Sequence, residues 1–282
     1  MPTFDTPASV RVVLSLAFGE VRIIATARAD TTVEAYPRDA KDQMDVWTAE
    51  QLRINYADGR LLVNTPESDS NGGAVVVVIT VPTGSSLHGR AMAADFLGVG
   101  QLGDCRLSTG LGRISLDRTG SLQLTAALGD ITVNSAAGSV EATTERGDVR
   151  LGHVEGRATI SSTSEGDAVL GEVHGVARLH AEKGDVRIQW AHAGVEARTS
   201  QGDVDIGKAV RGSVVADTTF GNIRIGVAEA SGARLVLDST AGTVYTSLSL
   251  LNTDESVDEV VHVHARTVIG DIVVERADCG TK

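Results

Sequence analysis

Lys183-Gly184-Asp185-Val186-Arg187-Ile188 is the stretch on which the fold turns. It returns as Gln201-Gly202-Asp203-Val204-Asp205-Ile206, Leu128-Gly129-Asp130-Ile131-Thr132-Val133 and Arg146-Gly147-Asp148-Val149-Arg150-Leu151. Glu165-Gly166-Asp167-Ala168-Val169-Leu170 and Phe220-Gly221-Asn222-Ile223-Arg224-Ile225 are further copies, and Leu111-Gly112-Arg113-Ile114 and Ala241-Gly242-Thr243-Val244 are degenerate ones. The glycines recur every 18 residues or so, the kind of fixed period that marks a stacked repeat array. After each turn glycine, polar and apolar residues alternate with the period of a half-buried strand. A second signal lies midway between copies, as in Gly120-Ser121-Leu122, Gly138-Ser139-Val140, Gly156-Arg157-Ala158, Gly175-Val176-Ala177 and Gly212-Ser213-Val214. One coil therefore holds about two strands and two turns. Such a coil cannot bury its apolar face alone; stacking buries it, each strand pairing with its equivalent in the next coil.

The pattern predicts an all-β, single-chain β-solenoid, helix-like or roll-like, whose N-terminal portion is irregular and carries one short helix. Inward positions are Ile131, Val133, Val149, Leu151, Val186, Ile188, Val204, Ile206, Ile223 and Ile225, faced by Ala142, Ala158, Ala177 and Ala216. These residues are small, which suits two closely opposed sheets. The copy at Gly194 is one residue out of phase, and the turn before it is expected to absorb the slip, because a slip inside the strand would turn its faces over. The chain is divided as 1–100, an N-terminal β portion with hairpin and cap; 101–277, the solenoid continuous with it; and 278–282, a tail.

Within the first portion, residues 10–16 and 32–36 read as strands, and Phe18-Gly19-Glu20-Val21-Arg22-Ile23 matches the later repeat. Residues 39–52 read as a helix capped by Asp39, with Ala40, Met44 and Trp47 on one face, covering the first coil. Asp58-Gly59 between apolar runs predicts a hairpin. Residues 74–81 form an apolar run expected to be covered on both faces. Leu102-Gly103-Asp104 reads as an early turn copy, residues 250–259 as an acidic loop, and residues 260–275 as the closing end of the array.

Composition narrows the function classes. The 282 residues carry a net charge of −12, with 37 acidic against 25 basic side chains, which disfavours nucleic acid or an anionic membrane as partner. Aromatics make up 3%, too few for stacking platforms built for bases or sugars. Cys105 and Cys279 form neither a disulfide framework nor a metal spacing. The N-terminal residues lack the basic and apolar regions of a signal peptide, no apolar run has the length of a membrane helix, and a cytoplasmic location is expected.

The Gly-Asp-Val-x-Ile ladder, the hairpin Asp58-Gly59-Arg60-Leu61-Leu62-Val63 and the strand 77–82 ending in Val-Pro-x-Gly come in this order. In this the whole chain resembles the bacterial "putative adhesin" family of β-strand repeats, a domain of unknown function. The opening Met-Pro-Thr-Phe-Asp-Thr-Pro and residues 93–112 resemble its cytoplasmic-type actinobacterial members. The resemblance implies a β-solenoid-like fold and a name that suggests adhesion, with no assigned activity.

Among polar residues, the turn column Asp130, Asp148, Asp167, Asp185 and Asp203 is foremost, continued by Asn222, with Asp104 and Asp271 at its ends. The favoured reading is local turn bonds from these side chains to nearby backbone N–H groups. The alternative is a cation column, with calcium as the ion; otherwise no cofactor is expected. His262 and His264 share one strand face but supply only two ligands, and His153, His174 and His192 are read as making no column. Glu141, Glu196, Asp205, Arg150, Arg178, Arg187 and Arg224 point outward as a mixed-sign solvent face. Nucleophile-elbow, phosphate-loop and dinucleotide fingerprints are absent. The expected function is a non-catalytic scaffold or protein-interaction module with a protein partner, without nucleic acid or membrane insertion. The alternatives are self-association into a filament through terminal coils and, third, a polysaccharide-acting β-helix enzyme.

Overall fold

Alternation after each turn glycine decides which side chains point inward, and the computed structural model shows the result for residues 2–65, 72–229, 231–248 and 260–277. The chain is an all-β solenoid with one helix among the described residues, and it divides into two compact units, Met1–Gly138 and Ser139–Lys282.

The first unit comprises β1 (Thr3–Asp5), β2 (Arg11–Thr26), β3 (Asp30–Pro37), α1 (Gln43–Glu50), β4 (Arg53–Ala57), β5 (Arg60–Asn64), β6 (Ala74–Pro82), β7 (Ser86–Gln101), β8 (Cys105–Leu111), β9 (Ile114–Thr119), β10 (Leu122–Leu128) and β11 (Ile131–Ala136). Here β2 and β7 are each 16 residues long and run through both sides of a coil. On one side β2 pairs in parallel with β5 and β6, and on the other with β7. Then β7 pairs with β8 and β9, which pair with β10 and β11. The repeat therefore begins at β2, as the Phe18–Ile23 copy suggests: Gly19 has the same positive φ, 143°, as the later turn glycines. The hairpin β4–β5 turns at Asp58 and Gly59, both at positive φ. In β6, Val75, Val77, Ile79 and Val81 are fully buried while the alternate residues are only half-buried, so the expected double covering is complete on one face alone.

The helix departs from expectation. It starts at Gln43, and its N-cap is Asp42, which accepts from Met44 N–H, in place of Asp39. Met44 and Trp47 are exposed, while Asp45 and Thr48 are buried. The reason is polar docking: Asp45 accepts from Ala74 N–H at 2.6 Å and Asp39 N–H at 2.9 Å, and Thr48 from Gly73 N–H at 3.0 Å. These bonds satisfy the buried Gly73 N–H and the half-buried Ala74 N–H, which would otherwise lack a partner.

The second unit comprises β12 (Val140–Arg146), β13 (Val149–Val154), β14 (Ala158–Glu165), β15 (Ala168–Val173), β16 (Ala177–Lys183), β17 (Val186–Ala191), β18 (Val195–Gln201), β19 (Val204–Ala209), β20 (Gly212–Phe220), β21 (Ile223–Val227), β22 (Gly232–Ala241), β23 (Val244–Thr246), β24 (Val260–Ile269) and β25 (Ile272–Arg276). Its coils have two sides. One is the parallel stack β12, β14, β16, β18, β20, β24, β22. The other is β13, β15, β17, β19, β21, β25, β23. The predicted inward residues of both units are all buried, at 2% exposure or less. Val195 pairs with Ala177 and Val214, so the phase slip at Gly194 is taken up in the turn.

The closing end differs from the sequence reading. The coil β24–β25 does not close the array; it inserts between β20–β21 and β22–β23. Val261, Val263, Ala265, Ile272 and Val274 are buried in it, whereas Val244 and Tyr245 on β23 are exposed. The intact motif Ile269-Gly270-Asp271-Ile272 belongs to the interior coil and the degenerate Ala241-Gly242-Thr243-Val244 to the end. The acidic stretch 250–259, and Cys279, lie outside the described residues.

Candidate functional site

The turn aspartates of the second unit form a ladder. Asp148 Oδ1 accepts from Asp167 N–H (2.8 Å), Asp167 Oδ1 from Asp185 N–H (2.9 Å) and Asp185 Oδ1 from Asp203 N–H (2.9 Å). Asp203 Oδ1 accepts from Asn222 N–H (2.7 Å), Asn222 Oδ1 from Asp271 N–H (3.0 Å) and Asp271 Oδ1 from Thr243 N–H (2.7 Å). The predicted backbone bonds are therefore made, but not locally: donor and acceptor lie in adjacent coils, 18 or 19 residues apart from Asp148 to Asn222 and 49 and 28 residues apart at Asp271, where the coil is inserted out of chain order. The second carboxylate oxygens of Asp148, Asp167 and Asp185 meet Arg150 or Arg187. Burial pushes the Asp148 carboxyl up, but the Asp167 N–H and Arg150 outweigh it and hold the group below its usual range.

Asp130 lies in the first unit, on the turn before β11, where its carbonyl accepts from Ile114 N–H. Its neighbour across the coil is Arg113, whose N–H binds Asp95 Oδ1 at 2.7 Å. Asp95 is thus a ladder residue that the sequence hides, because Ala94 stands where the motif has glycine. Asp104 is not in this column: it precedes β8 in the opposite corner and accepts from Ser121 N–H at 2.8 Å.

The second cluster overturns the reading of the histidines. Registers put His153, Glu172, Trp190 and Lys208 in one row across β13, β15, β17 and β19. Two residues further along, Glu155, His174 and His192 form an adjacent row. His153 Nδ1 faces Glu172 Oε2 at 3.2 Å and its Nε2 faces Glu155 Oε1 at 2.8 Å. His192 Nε2 faces Glu172 Oε1 at 2.8 Å, and His174 Nδ1 faces Glu155 Oε2 at 3.6 Å. The His174 and His192 rings stack with centroids 4.4 Å apart, and His153 meets His174 edge-on at 5.2 Å. The signal was present: His174 and His192 each stand eight residues after their turn glycines, Gly166 and Gly184. His153 differs in offset because it occupies the neighbouring row. Bonding to Glu155 first, then to Glu172, raises the His153 pKa against the lowering effect of burial. Glu172 is lowered chiefly by His192, and Glu155 chiefly by His153.

Beside this cluster Trp190 is 49% exposed, with Lys208 Nζ 5.0 Å from its ring centroid. A groove of about 490 Å³ runs from it past Asp205, Lys208, Arg224, Glu275 and Arg276. The outward charges elsewhere are paired as expected: Glu196 joins Arg178 and Arg198, Arg198 joins Asp217, and Arg224 joins Glu275. Glu141 is exposed. His262 and His264 are exposed on one face of β24, beside Ser213 and Arg234, and Val215 and Val236.

None of the curated proteins matches this chain. Solved structures similar to it include a protein from Bacteroides fragilis described as a "putative adhesin", at 13% identity and a TM-score of 0.38 over 97% of this chain and 95% of that one. A "putative adhesin" from Parabacteroides merdae is 12% identical, with a TM-score of 0.44 and the same coverage of 97% and 95%. A "putative lipid binding protein" from Parabacteroides distasonis is 10% identical, with a TM-score of 0.40, again covering 97% and 95%. Residues 11–275 match the family model described as Toastrack DUF4097, and the chain belongs to the Toastrack DUF4097 family.

Proposed function

We propose that this chain is a non-catalytic interaction module that binds a protein partner through the β17–β19 face of its second unit. The observation that carries the reading is Trp190, about half exposed on a flat parallel face beside a groove bearing Lys208, Arg224 and Arg276. Exposed Trp with neighbouring Arg is the side-chain chemistry of binding hot spots. In a chain with two tryptophans and 3% aromatics, composition alone does not supply such a patch. The non-catalytic part of the reading draws on the outward carboxylates Glu196 and Asp217, which are tied in arginine pairs. Burial pushes the Cys105 thiol up to about 12, so it serves as core and not as a reactive group. The proposed setting is the cytoplasm, as expected from the sequence. Fractionation of cells carrying a tagged chain tests that placement.

The partner reading is tested by affinity capture with the wild-type chain and Trp190→Ala as baits. We expect one or more captured proteins to be lost with the variant. The same proteins at the same yield on both baits would remove Trp190 as the centre of the interface.

A second reading, self-association through the end coil, rests on β22 and β23, which among the described residues pair on one side only and expose Val236 and Tyr245 at 58% and 64%. Such an edge is a template for strand addition. Light scattering on a size-exclusion column tests it: concentration-dependent species abolished by Val236→Lys support self-association, and a monomer throughout excludes it.

A further inference from the structure

We propose that His153, Glu172 and His174 bind one first-row divalent transition-metal ion, with zinc as the reference case. One donor atom from each of the three lies within 4.8 Å of the other two. A tetrahedral ion with bonds near 2.1 Å needs donors about 3.4 Å apart. His153 Nδ1 and Glu172 Oε2 already stand at 3.2 Å, and the wider separations must close by at most about 1.4 Å, which rotation of part-exposed side chains at a coil corner can supply. Two imidazoles and a carboxylate form a donor set common to zinc sites that keep a fourth position for water.

The surroundings fit as well as the donors. All four glutamate oxygens of the cluster face imidazole nitrogens: Glu172 is shared by His153 and His192, and Glu155 by His153 and His174. This contrasts with the turn aspartates, whose Oδ1 atoms are engaged by backbone N–H. An ion held by His153 Nδ1 would leave His153 Nε2–H donating to Glu155, and Glu172 Oε1 accepting from His192. Carboxylate–histidine–metal contacts of this kind fix the tautomer and orientation of a ligand. Glu155 and His192 are thus positioning residues. The two carboxylates balance the charge of a divalent cation without a counter-ion. A metal ion binds the unprotonated imidazole and the carboxylate, so binding should weaken as pH falls. The neighbouring Trp190 ring, 6.3 Å from His192, supplies a local reporter.

The test is calorimetric titration of zinc into the chelator-treated full chain, with cobalt as a spectroscopic substitute. The expected result is one ion per chain with micromolar affinity or tighter, visible absorption of tetrahedral cobalt, and quenching of Trp190 emission by copper in a Trp47→Phe background. His174→Ala and Glu172→Gln should each weaken zinc by about tenfold or more, and Glu155→Gln by about 10-fold to 100-fold. The pair His262→Ala with His264→Ala should leave binding unchanged. Absence of saturable binding at millimolar zinc would overturn the proposal, as would binding that survives His174→Ala combined with Glu172→Gln. Both substitutions sit on part-exposed side chains, and a thermal unfolding trace confirms that each variant is folded before titration. A failed titration leaves the partner reading untouched.

Discussion

At the scale of single residues, the aspartate ladder couples side-chain chemistry to coil stacking. Each carboxylate holds an N–H of the next coil, so the turn that begins a strand is also pinned to its neighbour. Asn222 already does this with an amide oxygen, so Asp185→Asn should leave stability nearly unchanged. Asp185→Ala strands the Asp203 N–H and should lower unfolding free energy by about 1 kcal/mol, the net worth of a part-exposed hydrogen bond; urea unfolding of the two variants measures the difference. The same pair tests the cation column: a calcium-dependent rise in melting temperature that Asp185→Asn abolishes would make the ladder a binding site, and an equal response in both chains would not. The histidine cluster predicts a pH dependence. His153 is raised above 6.5, so its contribution is full below that value and is lost as pH rises through the raised pKa. Glu155 and Glu172 are lowered below 4.5, so theirs is present above that value and lost as pH falls through the lowered pKa. The stability difference between wild type and His153→Gln should therefore peak between 4.5 and 6.5 and shrink on either side, as urea unfolding across pH will show. The aspartates were legible because their motif is contiguous. Their bonds were not, because local turn chemistry supplies a sufficient partner on paper while the real one lies a coil away. The glutamate-histidine rows needed strand registers, which the sequence encodes only through offsets from the glycines.

At the scale of the coil, the turn glycine is required twice over. Gly184 has φ of 145°, and a Cβ there would collide with the carbonyl oxygen of Gly166; Gly202 repeats the arrangement against Gly184. The same corner is sealed from inside by Thr199, whose hydroxyl donates to Gly184 O at 2.9 Å, and by Thr218 on Gly202 O at 3.0 Å. Gly184→Ala should thus cost about 3 kcal/mol or more, from backbone strain plus steric displacement. Gly59 is the control: it has φ of 72°, but a Cβ added there would meet nothing within 4 Å, so Gly59→Ala should cost only about 1–2 kcal/mol of conformational strain. Similar losses for the two in thermal or urea unfolding would show that stacking contributes nothing to the glycine requirement. The strand elements were readable from period-2 alternation, whereas the helix face was not. Apolar spacing pointed to Met44 and Trp47, but the orphan N–H groups of Gly73 and Ala74 recruited Thr48 and Asp45 instead.

At the scale of the whole chain, sequence order and stacking order part company twice, each time within a single unit. In the first, β2 lies between β5–β6 and β7; in the second, β24–β25 lies between β20–β21 and β22–β23. Periodicity reveals that coils exist but carries no label for which coil stacks on which, so chain order stood in for it. In the second unit the clue was motif quality: the inserted coil β24–β25 keeps the glycine and acid of Gly270-Asp271, while the end coil β22–β23 has lost the acid at Gly242-Thr243. In a stacked array, stability is a sum of coil terms and nearest-neighbour interface terms, so a coil with one neighbour should open most readily. Hydrogen exchange therefore should be fastest in β22 and β23 and slow in β16–β19 of the second unit. The insertion makes this prediction specific, because chain order would instead make β24 and β25 the frayed end. Protection in β24–β25 equal to that of β20–β21, with rapid exchange in β22–β23, is the expected pattern. Measured at two protein concentrations, the same experiment weighs self-association. Protection of β22 that grows with concentration would mean that a second chain supplies the missing neighbour; protection independent of concentration would leave the end coil as a single edge.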